Sequence, residues 1–311
     1  MRRFRGKQIY ILWFLALVAA ALLFIGGPDS DSLRSFRYIW GVGHLFCFAL
    51  WAYLYVDWRS DQPFMRQLFE VAILTFIIGG LVELIQGGIG REATWQDLGN
   101  DLVGGLLGVV FFAQSRKAVS AWQLKLLQVP VVFMALWSLL PVGKVIVDDI
   151  VARQQFPLLS GFETSLESSR WSGSAKRKVH HDIYFSGRSS LQIKLTTQMY
   201  SGIGLKDFPA DWSGYRAVGL QVFNPDQQPL QLHFRIHDQD HRKHKNAYGD
   251  RYNASFELKP GWNLLQVSLD KVAHAPKKRL LDLTRIAGMG VFVGKLEQPR
   301  ILYLDDVRLI P

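Results

Sequence analysis

The stretch LQLHFRIH at residues 230–237 alternates apolar and polar side chains without a break. Strict period-two alternation is typical of a strand that covers a core with one face and meets solvent with the other. The apolar set is Leu230, Leu232, Phe234 and Ile236. The stretch therefore predicts a sheet with a polar outer face.

Further short runs with strand character surround this one. They cover residues 191–196, 217–223, 254–258, 264–269, 289–293 and 301–309, and Gly187, Asn224-Pro225 and Pro260-Gly261 punctuate them. Short strands at this spacing indicate an antiparallel sandwich and not alternating βαβ units. We therefore predict an all-β jelly-roll sandwich over residues 161–311, outside a membrane.

The first 142 residues have a different composition. Five apolar runs cover residues 9–26, 38–56, 68–85, 98–113 and 124–142. A spanning helix needs about 20 mostly apolar residues and at least about 17, so the fourth run is short. The pattern predicts a membrane all-α helical bundle of five spans over residues 1–142. Residues 143–160 continue a weak helical pattern until Pro157 and form the predicted linker.

Basic residues predict the orientation of these spans. Nine lie on the predicted inner segments, namely Arg2, Arg3, Arg5, Lys7, Arg59, Arg66, Arg116, Lys117 and Lys125, against three outside, Arg34, Arg37 and Arg91. Basic residues favour the cytoplasmic side, so the N-terminus is predicted inside. An odd number of spans then places the sandwich in the periplasm or outside the cell, with the chain integral to the cytoplasmic membrane.

Charge and cysteine content exclude two classes of protein. The formal net charge is +10, but the basic residues flank apolar runs or are scattered, and they form no nucleic-acid-binding motif. Nucleic acid is therefore not an expected partner. Cys47 is the single cysteine, which excludes a disulfide framework.

Polar residues inside the predicted spans are costly in hydrocarbon and are expected to face the bundle interior. Those in and at the ends of the spans, together with Arg91 in the loop between the third and fourth, form a candidate ligand-binding pocket at the outer end of the bundle: His44, Glu83, Gln86, Arg91, Asp97 and Asn100. The stripes Gly79–Glu83–Gly87 and Asn100–Gly104–Gly108 predict that spans three and four pack together. A structural network that ties the helices is the alternative. Catalysis would lack a nucleophile motif and a complete metal set.

The same polar residues, followed by Gly104 and Gly108, resemble the signature of the VanZ-like family of membrane proteins over roughly the first 115 residues. The chain departs from that pattern at Gly90, where proline is expected, and in its fifth run and large second half. The resemblance implies a cell-envelope role, because the family's namesake is linked to low-level resistance to the glycopeptide teicoplanin. It implies membrane lipid, a peptidoglycan precursor or a glycopeptide as partners.

The second half resembles the galactose-binding-like jelly rolls of carbohydrate-binding modules and CIA30-type domains. The similar motifs are Phe162-Glu163, Asp211-Trp212-Ser213-Gly214-Tyr215, Pro260-Gly261-Trp262-Asn263 and Tyr303-Leu304-Asp305-Asp306-Val307. This resemblance implies a polysaccharide partner. It also implies a structural calcium held by Glu163 and Asp306, and no other cofactor is expected.

The polar sheet face supplies a candidate carbohydrate site: His233, Arg235, His237, Arg251 and Asn253. Tyr248 or Trp171 would stack on a sugar, whereas Trp212 and Trp262 are expected in the core. An ordinary exposed face is the alternative. The neighbouring cluster of His237, Asp238, Asp240, His241 and His244 is predicted to be a solvated loop, because Arg242, Lys243 and Lys245 interleave with it.

Together these features favour a non-enzymatic envelope protein that binds a glycan, a lipid-linked ligand or a glycopeptide through the membrane pocket and the external domain. Two alternatives remain at this stage. One is an enzyme that acts on a lipid-linked envelope intermediate, with His44 and the membrane carboxylates as its site. The other is a structural scaffold.

Overall fold

The computed structural model describes residues 7–24, 28, 32–88 and 95–311. The chain divides into two compact units, Met1–Val145 and Ile146–Pro311. The sequence places the end of the membrane domain at residue 142, close to this division. Most of the predicted linker belongs to the second unit.

The first unit is helical. Its helices are α1 (Lys7–Leu22), α2 (Arg34–Trp58), α3 (Phe64–Gly88) and α4 (Trp95–Phe112), and α5 (Ala121–Gln155) contains the boundary. Among the described helices, α2, α3 and α5 are long and apolar enough to cross a membrane, and residues Ile9–Leu22 form a shorter apolar helix. The prediction of five spans is therefore not confirmed, and α1 and α4 stay predicted spans.

Glycines let α4 approach two other helices closely. A Cβ atom on Gly104 would lie 2.2 Å from the backbone oxygen of Leu45 on α2. A Cβ atom on Gly105 would lie 2.6 Å from the hydroxyl of Thr75 on α3. Because neither position has room for a side chain, α4 packs against α2 through one face and against α3 through the next.

Helices α3 and α4 pack together, as predicted, but the stripe of Asn100, Gly104 and Gly108 faces α2 and not α3. The Asn100 amide donates to the backbone oxygen of Gly41 on α2 at 3.3 Å. Gly79 does pack on the fourth helix, since its Cβ would lie 2.5 Å from Asp101 Oδ2. The sequence pattern identified small residues but did not determine which helix each one meets.

The second unit is an antiparallel sandwich of two sheets, as predicted. One sheet has the order β3-β4-β11-β6-β9 with β1 on β11, and the other has the order β2-β5-β10-β7-β8. The strands are β1 (Leu158–Ser160), β2 (Trp171–Gly173), β3 (Lys176–His180), β4 (Ser190–Leu195), β5 (Tyr200–Leu205), β6 (Ala217–Asn224), β7 (Leu230–Asp238), β8 (Tyr252–Leu258), β9 (Gly261–Ser268), β10 (Ile286–Gly294) and β11 (Arg300–Ile310). All seven predicted runs are strands.

The tryptophans correct two predictions about the sandwich. Trp212 is fully buried, as expected. Trp171 is also fully buried and its indole donates to Ser160 Oγ at 3.0 Å, so it is not available to a sugar. Trp262 is only partly buried and lies against Phe223, with ring centroids 5.2 Å apart.

A buried ion pair ties the last turns of α5 to the sandwich. Arg170 Nε donates to both carboxylate oxygens of Asp148 at 3.0 Å, and Arg170 Nη2 donates to Oδ1 at 2.7 Å. Both side chains are almost completely buried. The residues predicted as a linker therefore contribute to the core of the second unit.

Candidate functional site

A groove of about 580 Å³ lies on the outer face of the five-stranded sheet. Strand pairing aligns one residue from each strand across this face, in the order Ser172, Gly204, Gly290, Arg235 and Asn253. Directly paired residues of antiparallel strands share a face. The pairing therefore brings together side chains that are far apart in the sequence.

Glycines form the floor of the groove. Gly202 and Gly204 of β5 line it, and Gly290 of β10, which pairs with Gly204, lies next to them. A Cβ atom on Gly290 would lie 3.0 Å from the backbone oxygen of Ile203 and 3.5 Å from Arg235 Nε. The absence of side chains here lowers the floor and leaves space for the Arg235 guanidinium to lie along it.

Aromatic rings flank this floor. Tyr200 and Tyr248 are 66% and 70% exposed, which leaves their faces accessible to a ligand. The Phe292 ring lies 6.1 Å from the Tyr200 ring. The guanidinium of Arg235 lies 5.9 Å from the Phe292 ring centre, and that of Arg251 lies 5.4 Å from the Tyr248 ring centre. The attraction between a guanidinium and the face of an aromatic ring favours a fixed position for each arginine side chain.

The groove is positively charged. Lys206, Arg235 and Arg251 line it, and none of the described residues that line it is acidic. Burial lowers the pKa of Arg235, and burial followed by the charge of Arg235 lowers the pKa of Arg251. Arginine has so high an ordinary pKa that both remain cationic at neutral pH. Two partly desolvated cations next to each other favour an anionic ligand.

Only two of the five predicted carbohydrate residues, Arg235 and Arg251, line the groove. Asn253 supports it, since its side-chain oxygen accepts from Arg251 Nε at 2.9 Å and its amide donates to the Tyr248 backbone at 3.0 Å. His233 hydrogen-bonds Ser255 at 2.8 Å, and its ring lies 5.2 Å from the Phe292 ring.

His237 lies two residues beyond Arg235 on the same face of β7 and is partly buried. Within the described structure its Nδ1 has no hydrogen-bond partner, and its ring lies 5.2 Å from the ring of His241. Burial first, then the nearby positive charge of His241, Arg235 and Arg251, lowers the pKa of His237 from 6.5 to about 4. The native fold therefore holds a neutral imidazole.

We expect replacement of His237 by asparagine to flatten the pH dependence of stability between pH 6.5 and 4. Unfolded His237 binds a proton below about 6.5, whereas folded His237 does so only near 4, so its contribution is complete above 6.5 and is lost as the pH falls. The shift corresponds to roughly 3 kcal/mol at most. Urea unfolding at pH 7 and pH 4.5 measures it, with His233→Asn as the control. An unchanged slope for His237→Asn would contradict the assignment.

The histidine and aspartate cluster is mainly structural, and two of its members, Asp238 and His241, are not solvated as predicted but are buried together with Asp250. Asp238, His241 and Asp250 are at least nine-tenths buried. Arg279 donates to Asp250 Oδ1 and Oδ2 at 2.8 Å and to Asp238 Oδ1 at 2.8 Å. The hydrogen bonds from Arg279 lower the pKa of Asp250 to about 2. Arg279 was not associated with this cluster in the sequence analysis. Its positive charge allows the two carboxylates to be buried.

The arrangement does not fit a calcium ion held by Glu163 and Asp306. Asp306 pairs with Arg308, whose Nε lies 2.6 Å from Oδ1. Glu163 Oε1 accepts the backbone N–H groups of Arg188 and Ser189 at 2.8 and 3.3 Å. Calcium requires six to eight oxygen ligands, whereas a cation and backbone donors occupy these carboxylates.

The buried carboxylate of the closing motif is Asp305, which sequence reasoning did not single out. It accepts the backbone N–H groups of Phe185 and Ser186 at 2.7 and 3.0 Å. Glu163 and Asp305 thus fasten the same loop through N–H donors. Asp305 is completely buried within the last strand, whereas Asp306 is not. Only the structure distinguishes these two neighbouring carboxylates.

In the helical unit, three predicted pocket residues converge. His44 on α2, Glu83 on α3 and Asp97 on α4 each place a ligand-type atom within 4.8 Å of the other two. His44 Nδ1 lies 2.9 Å from Oδ1 of Asp101, a residue that was not among those predicted for the pocket.

The other predicted pocket residues have separate roles. Gln86 donates to the backbone oxygen of Leu23 at 2.8 Å, and Asn100 bonds the α2 backbone. These two side chains link helices. Arg91 lies outside the described residues, so its membership of the pocket stays a prediction.

Comparisons with solved structures found carbohydrate-binding modules. A family 11 carbohydrate-binding module from Clostridium thermocellum in complex with a β-1,3-1,4-mixed-linked tetrasaccharide has a TM-score of 0.38 and 16% identity, over 49% of this chain and 94% of the module. An exo-β-agarase has a TM-score of 0.40 and 16% identity, over 50% of this chain and 24% of the agarase. Similarity at this level carries no information about the ligand of this chain.

No protein-family model matches the chain, and the search of curated proteins found no match. The resemblance of the first 115 residues to the VanZ-like family therefore stays a prediction from the sequence.

Proposed function

We propose that this chain is a membrane-anchored protein of the cell envelope that binds an acidic polysaccharide in the groove of its sandwich. The observation that carries the proposal is a groove that combines three cationic side chains with accessible aromatic rings. Ligand sites combine apolar or aromatic walls with a few placed polar groups, and this groove has that composition.

The groove residues divide the recognition between them. Tyr200 and Tyr248 offer flat apolar faces to the pyranose rings. Arg235 and Arg251 offer planar, partly desolvated guanidinium groups, which bind carboxylates through paired hydrogen bonds. A sugar acid has both features, because its ring is flat on one side and its carboxylate lies at the edge.

The membrane part of the proposal is supported by the apolar helices and the distribution of basic residues. We propose that the N-terminus is cytoplasmic and that the sandwich is periplasmic or extracellular, where polysaccharide is accessible. The VanZ-like resemblance supports an envelope role, with a lipid-linked or glycopeptide ligand for the helical unit. We propose that both sites bind their ligands without turnover.

We expect Arg251→Gln to weaken binding of a polyuronate by roughly 10- to 100-fold, the equivalent of one charge-assisted hydrogen bond. The full chain in lipid nanodiscs, titrated calorimetrically with a polyuronate and with a neutral glucan of equal length, measures this. Lys206→Ala should weaken binding less, because an exposed charge is screened by salt. Lys194→Ala, an exposed lysine on the other sheet, is the matched control.

The two titrations separate the possible failures. Equal affinity for the polyuronate and the neutral glucan would contradict the preference for acidic sugars while leaving a carbohydrate groove. Absence of binding to both polymers, or equal loss in Lys194→Ala and Arg251→Gln, would contradict the groove itself.

A further inference from the structure

The helical unit holds a compact group of metal-binding side chains. One nitrogen of His44 and one oxygen each of Glu83 and Asp97 all lie within 4.8 Å of one another. These three residues come from three different helices, and His44 and Glu83 are buried. Three helices thus direct one imidazole and two carboxylates to one point inside the unit.

Asp101 stands behind the histidine. Its Oδ1 lies 2.9 Å from His44 Nδ1, and the residue is fully buried. When Nδ1 donates to Asp101, the other ring nitrogen keeps its lone pair available. Metal-binding histidines are almost always oriented in this way by a carboxylate or carbonyl on the opposite nitrogen.

The other oxygen of Asp101 gives a second, independent indication. Oδ2 is buried and has no hydrogen-bond partner among the residues that the structure describes. A buried carboxylate that is not fully hydrogen-bonded is costly, and a nearby cation offsets that cost. A metal held by His44 would lie on the far side of the imidazole and would stabilise this charge.

Two glycines leave room for the carboxylates. A Cβ atom on Gly79 would lie 2.5 Å from Asp101 Oδ2, and one on Gly41 would lie 3.3 Å from Asp97 Oδ1. A side chain at either position would push a carboxylate away from the group. The close helix packing therefore allows the acidic residues to approach His44.

We propose that His44, Glu83 and Asp97 bind a divalent first-row transition metal such as Zn²⁺ or Mn²⁺, and that Asp101 positions His44. Imidazole with carboxylates is a ligand set for these ions and less suited to Ca²⁺ or Mg²⁺, which take oxygen ligands. Tetrahedral ligands about 2.1 Å from zinc are about 3.4 Å apart, so small side-chain rotations close the group around an ion.

The proposed site has a coordination position left open. Structural zinc sites use four protein ligands, whereas three protein ligands leave room for water or for an oxygen of a bound ligand. This site is separate from the polysaccharide groove, and it concerns the ligand of the helical unit.

Metal content of the full chain, purified in detergent and measured by mass spectrometry, tests the proposal. We expect close to one equivalent in the unaltered protein and in Glu70→Gln, and less than a tenth of that in His44→Ala and Asp97→Asn. Glu70 is the matched control because it lies on α3 like Glu83, but its carboxylate pairs with Tyr55 and Arg66.

A second measurement does not depend on removal of a ligand. Chelated protein is titrated with Zn²⁺ or Mn²⁺ alone, and binding is followed by the melting temperature. Asp101→Asn keeps all three ligands and nearly the same shape, so we expect its affinity to fall by about 10- to 100-fold while the fold is retained. The visible spectrum of bound Co²⁺ should show nitrogen ligation that His44→Ala removes.

Two results would overturn the proposal. One is equal metal content in the unaltered protein, His44→Ala and Asp97→Asn, which would place the metal elsewhere. The other is chelated wild-type protein that is monodisperse and folded but neither binds nor is stabilised by Zn²⁺ or Mn²⁺.

Discussion

A fragment that begins at residue 161 is expected to be at least about 3–5 kcal/mol less stable than one that begins at residue 146. The shorter fragment lacks Asp148, the partner of the buried Arg170 guanidinium. Removing one member of a buried pair leaves an uncompensated charge in the core, which costs more than the pair contributes. The shorter fragment also lacks β1, which pairs with β11.

Urea unfolding of the two fragments measures the difference. Asp148→Asn in the longer fragment isolates the ion pair from the loss of β1, and Asp182→Asn, at a carboxylate that is 90% exposed, is the control. Equal stability of the two fragments, or equal effects of the two amide substitutions, would show that the linker residues are not part of this domain.

Replacement of Arg279 by methionine is expected to destabilise the sandwich by a similar amount, about 3–5 kcal/mol at pH 7. Arg279 is the common partner of Asp238 and Asp250, which close the loop between β7 and β8. Without it the two buried carboxylates keep only backbone N–H donors and the imidazoles of His241 and His244 as partners. Arg285→Met, which removes an exposed arginine bonded to Gln239, is the control.

The effect of Arg279→Met should depend on pH. The pKa of Asp250 is lowered to about 2, so the stabilising charge pair is present above the ordinary pKa near 4 and is lost as the pH falls toward 2. The stability difference between the unaltered sandwich and Arg279→Met should therefore shrink from pH 7 to pH 2. A difference that is constant over this range would contradict a charge-pair origin.

The sequence predicted those parts of the fold that local patterning specifies. The alternation in β7 specifies which face is buried, so residues 230–237 were placed correctly. β5 reads YSGIGL, in which glycines interrupt the alternation, and β2 has three residues, too few for a period. Trp171 was assigned to the surface for the same reason.

The groove depended on information that is not local. Tyr200 and Phe292 are more than ninety positions apart, and the pairing of β5 with β10 brings them to one face. Arg235 and Arg251 were predicted because a single strand and its neighbouring loop contain both. Lys206 has no sequence signal, since an exposed lysine after a short strand is ordinary.

The helical site was partly predictable for an energetic reason. Ionisable groups in apolar runs are costly, and this cost singled out His44, Glu83 and Asp97. Asp101 was not assigned to the site, because its importance comes from the distance to His44, which only the structure gives. The sequence also could not assign the glycine stripe on α4 to α2, since helix neighbours need not be consecutive.

The pairing of the first and last strands has a consequence for how such a sandwich is used. Leu158 pairs with Arg308, so the chain enters and leaves the domain at adjacent points on the six-stranded sheet. Domains with adjacent termini tolerate circular permutation and insertion into a host loop. The groove lies on the other sheet, so a host joined at both ends would leave the groove uncovered. The sandwich is therefore suited to insertion, as a complete domain, into a loop of another protein.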